Sequence, residues 1–260
     1  MAIDWDEVQK ALSPMKDYED CCQRFKTAFS YSFVRQIFNY SLPDLIDYTN
    51  NLLLGDSLNR YIEYHARLTA ILNRLQQAGV RNVLELIEST ADREKLAAFT
   101  EKSNIMATDI VTVLKYLVYW FIPNEKYLSG LIQSGSPLVD AIKCLGELGI
   151  RTNLQILEKG RTPAGYGVLV ETSGLPPETI LELVNRADFS RMPWASKATI
   201  SNIIGAGYTT LAALASADPD QLVDDFIKYG KQIGKNLKLG NEIENSYRIA
   251  KIVPTILLPA

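Results

Sequence analysis

Residues 75–87 read LQQAGVRNVLELI, and residues 145–157 read LGELGIRTNLQIL. A chain that writes one phrase twice at a fixed spacing must build that stretch from the same local unit twice. Sliding the sequence by seventy residues aligns 66–123 with 136–193 without a gap. Leu75 then meets Leu145, Gly79 meets Gly149, Arg81 meets Arg151, Leu84 meets Leu154, Glu88 meets Glu158 and Pro123 meets Pro193. Apolar positions between these anchors also meet apolar ones, as Val80 does Ile150 and Ile105 does Leu175. A shorter third copy, NIIGAGYTTLAAL (202–214), brings Gly207 into line with Gly79 and Gly149 once one residue is removed after Thr210.

Each copy reads helix, glycine, short turn, helix. Apolar residues recur at spacings of three and four ahead of the glycine, and strict apolar–polar alternation over strand lengths is hard to find. At Gly79, Gly149 and Gly207 the left-handed conformation that ends a helix costs little, because glycine has no Cβ. Asn82, Thr152 and Thr210 then supply side-chain oxygens to cap the next helix. Further on, KSNIMATDIVTVL (102–114) and TSGLPPETILELV (172–184) each begin another helix, the second preset by Pro176 and Pro177 with Glu178 at its positive end. Pro43 in SLPDL (41–45) stands where a first helical turn accepts proline.

The run ILEKGRTPAGYGVLVETSGLPPETILELVNRADFSRM, followed by NIIGAGYTTLAALASADPDQL, resembles the domain-of-unknown-function family numbered 4332. Members of that family read "tgl...il..vn.aDL.Ri" before a hairpin and "aGv.tv.eLa" after it. Leu175, Val184, Asn185, Ala187, Asp188, Phe189, Arg191, Met192, Ala206, Gly207, Thr210 and Leu214 stand at those places here. The resemblance covers about residues 136–255, with a diverged copy at 66–130, and implies a helix-hairpin-helix, SAM-like fold. The expected architecture is therefore all-α: tandem helix-hairpin-helix-like repeats stacked between N- and C-terminal helical caps. The segments are 1–62 (cap), 63–133 (first repeat), 134–198 (second repeat) and 199–260 (half repeat and helical closure).

Helix-hairpin-helix modules that grip DNA bring backbone N–H groups to a phosphate through a Gly-hydrophobic-Gly hairpin. Here MPWASK (192–197) puts Trp194 and Ser196 where those glycines would be, and IPNEKY (122–127) offers Asn124 and Glu125. A tryptophan blocks close backbone approach, and a carboxylate repels a phosphate.

Composition narrows the classes further. Among 260 residues, 47% are apolar, 22% are charged and the net charge is -3, which supplies a continuous core and excludes the basic excess of a general nucleic-acid binder. Cys21, Cys22 and Cys144 are odd in number and lack a CxxC spacing, which argues against a disulfide framework and a zinc site. The N-terminus MAIDWDEVQK is acidic where a secretory signal is basic, and no apolar run approaches the roughly 20 residues of a membrane span. A cytoplasmic protein with no membrane insertion and no cofactor is expected.

Candidate sites follow from patches. The tract 226–251 carries Lys228, Lys231, Lys235 and Lys238 at spacings of three and four, with Arg248 and Lys251 beyond. On one helix face these would contact phosphates, with Arg81, Arg151 and Lys197 as auxiliaries; the alternatives are a solvated face or, since Gly230, Gly234 and Gly240 weaken a helix, a tract that is partly loop. Tyr116, Tyr119, Trp120 and Phe121 form the densest aromatic run. They read as core between repeats or, with Trp194, as a protein-docking patch. His65, the lone histidine, has no metal-ligand or nucleophile partner in sequence, DPDQLVDD (218–225) reads as a helix start capped by Asp218, and GRTPAGYG (160–167) as a helix start with loose packing. No catalytic constellation assembles. The expected function is non-enzymatic binding or scaffolding with a protein partner; the alternative is nucleic-acid binding through the C-terminal basic face.

Overall fold

The computed structural model describes residues 3–54, 61–237 and 241–257, the side chains of residues 241 and 242 excepted. The described residues are all-α, with sixteen α-helices and no strand beyond isolated two-residue bridges. They fall into two compact units, Met1–Asn124 and Glu125–Ala260.

The first unit contains α1 (Trp5–Leu12), α2 (Tyr18–Ala28), α3 (Ser32–Ile37), α4 (Leu42–Leu54), α5 (Ile62–Gln77), α6 (Val83–Ser89), α7 (Arg93–Ser103) and α8 (Ala107–Tyr116). Helix α4 packs on α5, and α8 packs on α1 and α5. Leu45, Leu52, Leu68, Leu72, Ile110 and Leu114 fill the space between them, each contributing about 1.5–3 kcal/mol by leaving water. After α8 the chain widens into a π-helical turn, Leu117–Phe121, closed by Ile122 N–H donating to Leu117 O at 2.8 Å.

That turn divides the aromatic run between its two readings, with Tyr116 and Phe121 in the core. Tyr116 is fully buried and its hydroxyl accepts from Thr49 Oγ1 at 2.8 Å, so it is not a docking residue. Phe121 is swung inward against Phe38, Tyr40 and Tyr48 with ring centroids 5.0–5.6 Å away. Tyr119 and Trp120 stay half-buried, Trp120 edge-on to Tyr61. The extra residue in the turn changes which side chains share a face, and the predicted docking patch loses its centre to the core.

The second unit opens with a 3-10 turn (Leu128–Leu131) and continues through α9 (Val139–Glu147), α10 (Asn153–Gly160), α11 (Pro163–Ser173), α12 (Pro177–Phe189), α13 (Lys197–Gly205), α14 (Leu211–Ala215), α15 (Pro219–Gln232) and α16 (Asn241–Ala250). Helix α12 lies on α10 and α11, and α14 lies on α16. The division between the units falls ahead of the 133/134 boundary expected from the repeats.

Element ends recur at the seventy-residue offset. Helix α5 stops at Gln77 and α9 at Glu147, α6 starts at Val83 and α10 at Asn153, α7 spans Arg93–Ser103 and α11 Pro163–Ser173, and α8 and α12 start at Ala107 and Pro177. The glycines act as read: Gly79, Gly149 and Gly207 have φ of 91°, 78° and 105°. Beyond each one the same pair of bonds closes the helix. Val80, Ile150 and Tyr208 donate back to Leu75, Leu145 and Ile203, and the glycines donate to Gln76, Gly146 and Ile204, satisfying carbonyls that the helix end leaves open. Asn82, Thr152, Thr210 and Asp218 each cap the helix that follows, Thr152 reciprocally with Gln155. The GRTPAGYG stretch is a helix start capped by Thr162, but its packing is tight. A Cβ on Gly165 would lie 2.1 Å from Lys159 O, and one on Gly160 2.9 Å from Val184 Cγ2.

Candidate functional site

The turn in the repeated phrase is closed to anions. In the first unit the leading N–H groups of α6 are taken: Val83 donates to Tyr40 O, Leu84 to Asn39 Oδ1 and Glu85 to Asn82 Oδ1, at 2.9–3.0 Å. In the second unit Asn153 donates to Lys126 O, Leu154 to Asn153 Oδ1 and Gln155 to Thr152 Oγ1. A helix start holds a phosphate with N–H groups that have no protein acceptor, and these have one. Arg81 is exposed and pairs with Glu85 at 3.1 Å, while Arg151 stands exposed beside the equivalent turn.

The predicted basic face is broken up as well. Lys228 and Lys231 are exposed on α15, but Asp224 stands exposed one turn ahead of Lys228. Helix α15 ends at Gln232 and the chain reverses at Gly234, φ 66°, so Lys235 lies past the helix and shares no face with them. Lys238 lies outside the described residues. Arg248 is half-buried on α16, and Lys251 donates to Tyr247 Oη at 2.5 Å while resting over its ring. Among the described residues Lys228 and Lys231 share the helix and Lys235 does not, as the glycines of the tract allow.

At the hairpin between α12 and α13 the chain is anchored from beneath. The Lys126 ammonium donates to Ser190 O at 2.8 Å and Ala195 O at 3.4 Å, and Asn153 Nδ2 donates to Ser190 Oγ at 2.9 Å. Burial holds the Lys126 pKa below the usual lysine value. Ser196, in the place of a second glycine, caps α13 by accepting from Thr199 N–H at 3.1 Å. Trp194, in the place of the first, keeps a left-handed backbone, φ 62°, and is 56% exposed. Lys197, the first residue of α13, is exposed beside it. Glu125 is exposed, and its carboxylate accepts from Thr152 Oγ1 at 3.0 Å.

The second unit also encloses a cavity of about 600 Å³. One wall is a face of α12 (Leu181, Val184, Asn185, Asp188) continuing to Arg191. The others are the α10–α11 turn with Arg161 and Tyr166, helix α14, and the segment from Ala250 to Leu257. Asp188 and Arg191 are a buried ion pair, with Arg191 Nε and Nη2 donating to the same carboxylate oxygen at 2.7 and 2.5 Å. Burial pushes the Asp188 carboxyl up, and the guanidinium opposes the rise. Arg191 Nη1 and Asn185 Oδ1 are sealed from solvent without a hydrogen-bond partner, a state that costs about 1–3 kcal/mol per group. In the first unit a cavity of about 510 Å³ near Tyr18 and Cys22 differs in this respect. There Tyr18 Oη donates to Thr90 O and Arg93 pairs with Glu19 at 2.6 Å.

Three residues that carried the family resemblance, Asn185, Asp188 and Arg191, thus line one cavity. Residues 139–244 match the family model described as Domain of unknown function (DUF4332). The DUF4332 match takes in α9 through α15 and reaches into α16, so it includes the α12 wall and the Trp194 hairpin and stops before the 250–257 wall. No curated protein and no solved structure matches the chain.

Elsewhere, His65 Nε2 lies 2.6 Å from Asn50 Oδ1 and 3.3 Å from Thr69 Oγ1, a helix-to-helix tie. Among the described residues no group of three or more His, Cys, Asp or Glu is placed to hold a metal ion, and no helix is long and apolar enough to cross a membrane. Sequence reasoning named Asn185, Asp188 and Arg191 only as carriers of the resemblance. A polar residue every third position on a helix ordinarily marks a solvated face, and burial alone distinguishes this one.

Proposed function

We propose that this chain is a non-enzymatic, cytoplasmic binding protein of helix-hairpin-helix-like repeats, the stretch 66–130 being a diverged copy of the DUF4332-like repeat, and that it docks a protein partner through the hairpin between α12 and α13. The observation that carries the reading is Trp194. A bulky residue with φ near +60° costs about 1–2 kcal/mol, and this one is held there, largely in solvent, over a hairpin fixed by Lys126 and Asn153. Tryptophan is among the residues enriched as anchors of protein interfaces. Phosphate recognition has less support, since the N–H groups that would serve it at α6 and α10 are occupied and the two lysines of α15 follow Asp220, Asp224 and Asp225 on the same helix.

The test is recovery of a partner from native cell extract by the wild-type chain, by Trp194→Gly, and by Lys228→Ala/Lys231→Ala, each with and without nuclease. The expected outcome is one protein partner held by wild type and the lysine variant, reduced at least about tenfold by Trp194→Gly, and indifferent to nuclease. Trp194→Gly relieves the backbone, so its melting temperature should not fall. Recovery that survives Trp194→Gly sinks the reading. Recovery that needs the lysines and disappears with nuclease replaces it with the nucleic-acid one.

A further inference from the structure

We infer that the outer face of α11 is a self-association surface, pairing antiparallel with the same face of a second copy of this chain about a two-fold axis at Val168. The face lies within the second unit and shares no residue with the Trp194 hairpin. Leu169 is the one buried residue of α11. Ala164, Val168 and Thr172 follow one another at four-residue spacing, hence along one side of the helix, and all three are exposed, Val168 at 58%. Beside them lies a groove of about 470 Å³ whose wall continues through Gly165 and Leu169 to Lys159 on α10 and to Leu148 and Ile150 past α9. Singly exposed apolar residues are ordinary on a protein surface, so the repeat itself supplies the control. At the seventy-residue offset, Glu94, Lys95 and Lys102 of α7 stand where α11 has Ala164, Gly165 and Thr172, and Ala78 and Ala98 stand where the second copy has Leu148 and Val168. Those five are exposed as well. The same face of the repeat is thus charged, with small apolar residues, in the first copy and uncharged, with large ones, in the second.

The face carries its own complement, which a two-fold interface requires. Val168 projects into solvent beside the groove, so one copy offers a ridge where the other offers a hollow. The charges decide the direction of pairing. Glu171 follows Val168 by three positions and is exposed on the same side of α11. In an antiparallel pair centred on Val168, the residue three before the centre faces the residue three after it, so Gly165 meets the partner's Glu171. Gly165 in turn is packed on Lys159, since a Cβ there would lie 2.1 Å from Lys159 O, and Lys159 is exposed in the same groove. The pairing therefore brings Lys159 to the partner's Glu171 and, by symmetry, Glu171 to the partner's Lys159, so that two ion pairs flank an apolar centre. A parallel pairing would set each of these charges against its own equivalent, which is repulsive. One helix and one groove make a small interface, and small interfaces are weak and reversible ones.

The experiment is sedimentation velocity of the full chain at concentrations from about 1 to about 300 µM, where a monomer–dimer equilibrium with a Kd of about 10–100 µM is expected. Val168→Glu, at an exposed position, should keep the melting temperature of the wild type and remain a monomer throughout. Ala98→Glu, at the equivalent position of α7, should dimerise as wild type does. Glu171→Lys and Lys159→Glu should each weaken the dimer by about tenfold, and the combined Lys159→Glu/Glu171→Lys should restore it to within about threefold of wild type. Trp194→Gly should leave the dimer intact, which separates this surface from the hairpin. A chain that stays monomeric at about 300 µM overturns the proposal and leaves the face to a different protein. A dimer that survives Val168→Glu, that needs Ala98 or Trp194, or that is not recovered in the double reversal overturns it too.

Discussion

Arg191 and Asp188 illustrate how one buried residue pair sets an energy. Removing one partner of a buried pair strands the other charge, so Asp188→Asn should destabilise the chain by about 3–5 kcal/mol in urea unfolding, whereas Asp188→Leu with Arg191→Met should recover most of that loss. If the double variant is as unstable as the single one, the pair is holding more than itself. The sequence displayed these residues plainly and concealed their meaning. Asn185, Asp188 and Arg191 are polar residues spaced three apart, and nothing in their identity says that α10, α11 and α14 cover them. Tyr116 stands between two readings in sequence: a tyrosine in an aromatic run fits a core or a surface anchor, and its burial against Thr49, sixty-seven residues away in sequence, decides for the core.

Elements were the most legible scale. A glycine after an apolar-periodic helix and an Asn or Thr three residues later determine where one helix stops and the next starts by local bonding alone, which is why Gly79, Gly149 and Gly207 and their following caps could be placed without any tertiary information. The π-helical turn at Leu117–Phe121 could not, because the residue that widens it is selected by inward packing of Phe121 against Phe38, Tyr40 and Tyr48. The same local logic separates two glycines that both have open space where a Cβ would go. Gly149, at φ 78°, should lose about 1–2 kcal/mol on change to alanine. Gly167, within α11 and without a positive φ, should gain about 0.5–1 kcal/mol. Thermal melts of the two variants check the signs, and equal shifts in one direction would mean that φ is not the deciding variable.

At the scale of the molecule, the response to alkali should be set by the first unit. Burial pushes the Tyr18 and Tyr116 hydroxyls and the Cys21 thiol well up, and the Cys22 thiol to about 11. The folded chain keeps these protons where the unfolded chain, with phenols near 10 and thiols near 8.5, gives them up. Their contribution is therefore fully present below the unfolded values and is lost as pH rises towards the folded ones, at about 1.4 kcal/mol per group per pH unit. Urea midpoints should hold near pH ~8 and fall steeply by pH ~10.5, and a flat profile would contradict the burial of these groups. The chain's three tryptophans are divided between the units: Trp5 and Trp120 lie half-buried in the first, and Trp194 is exposed in the second. The second unit thus carries a single tryptophan, and it stands in the hairpin. Red-shifted emission that is readily quenched by iodide in the isolated chain, and shielded when the hairpin is covered, would report occupancy without any label being attached.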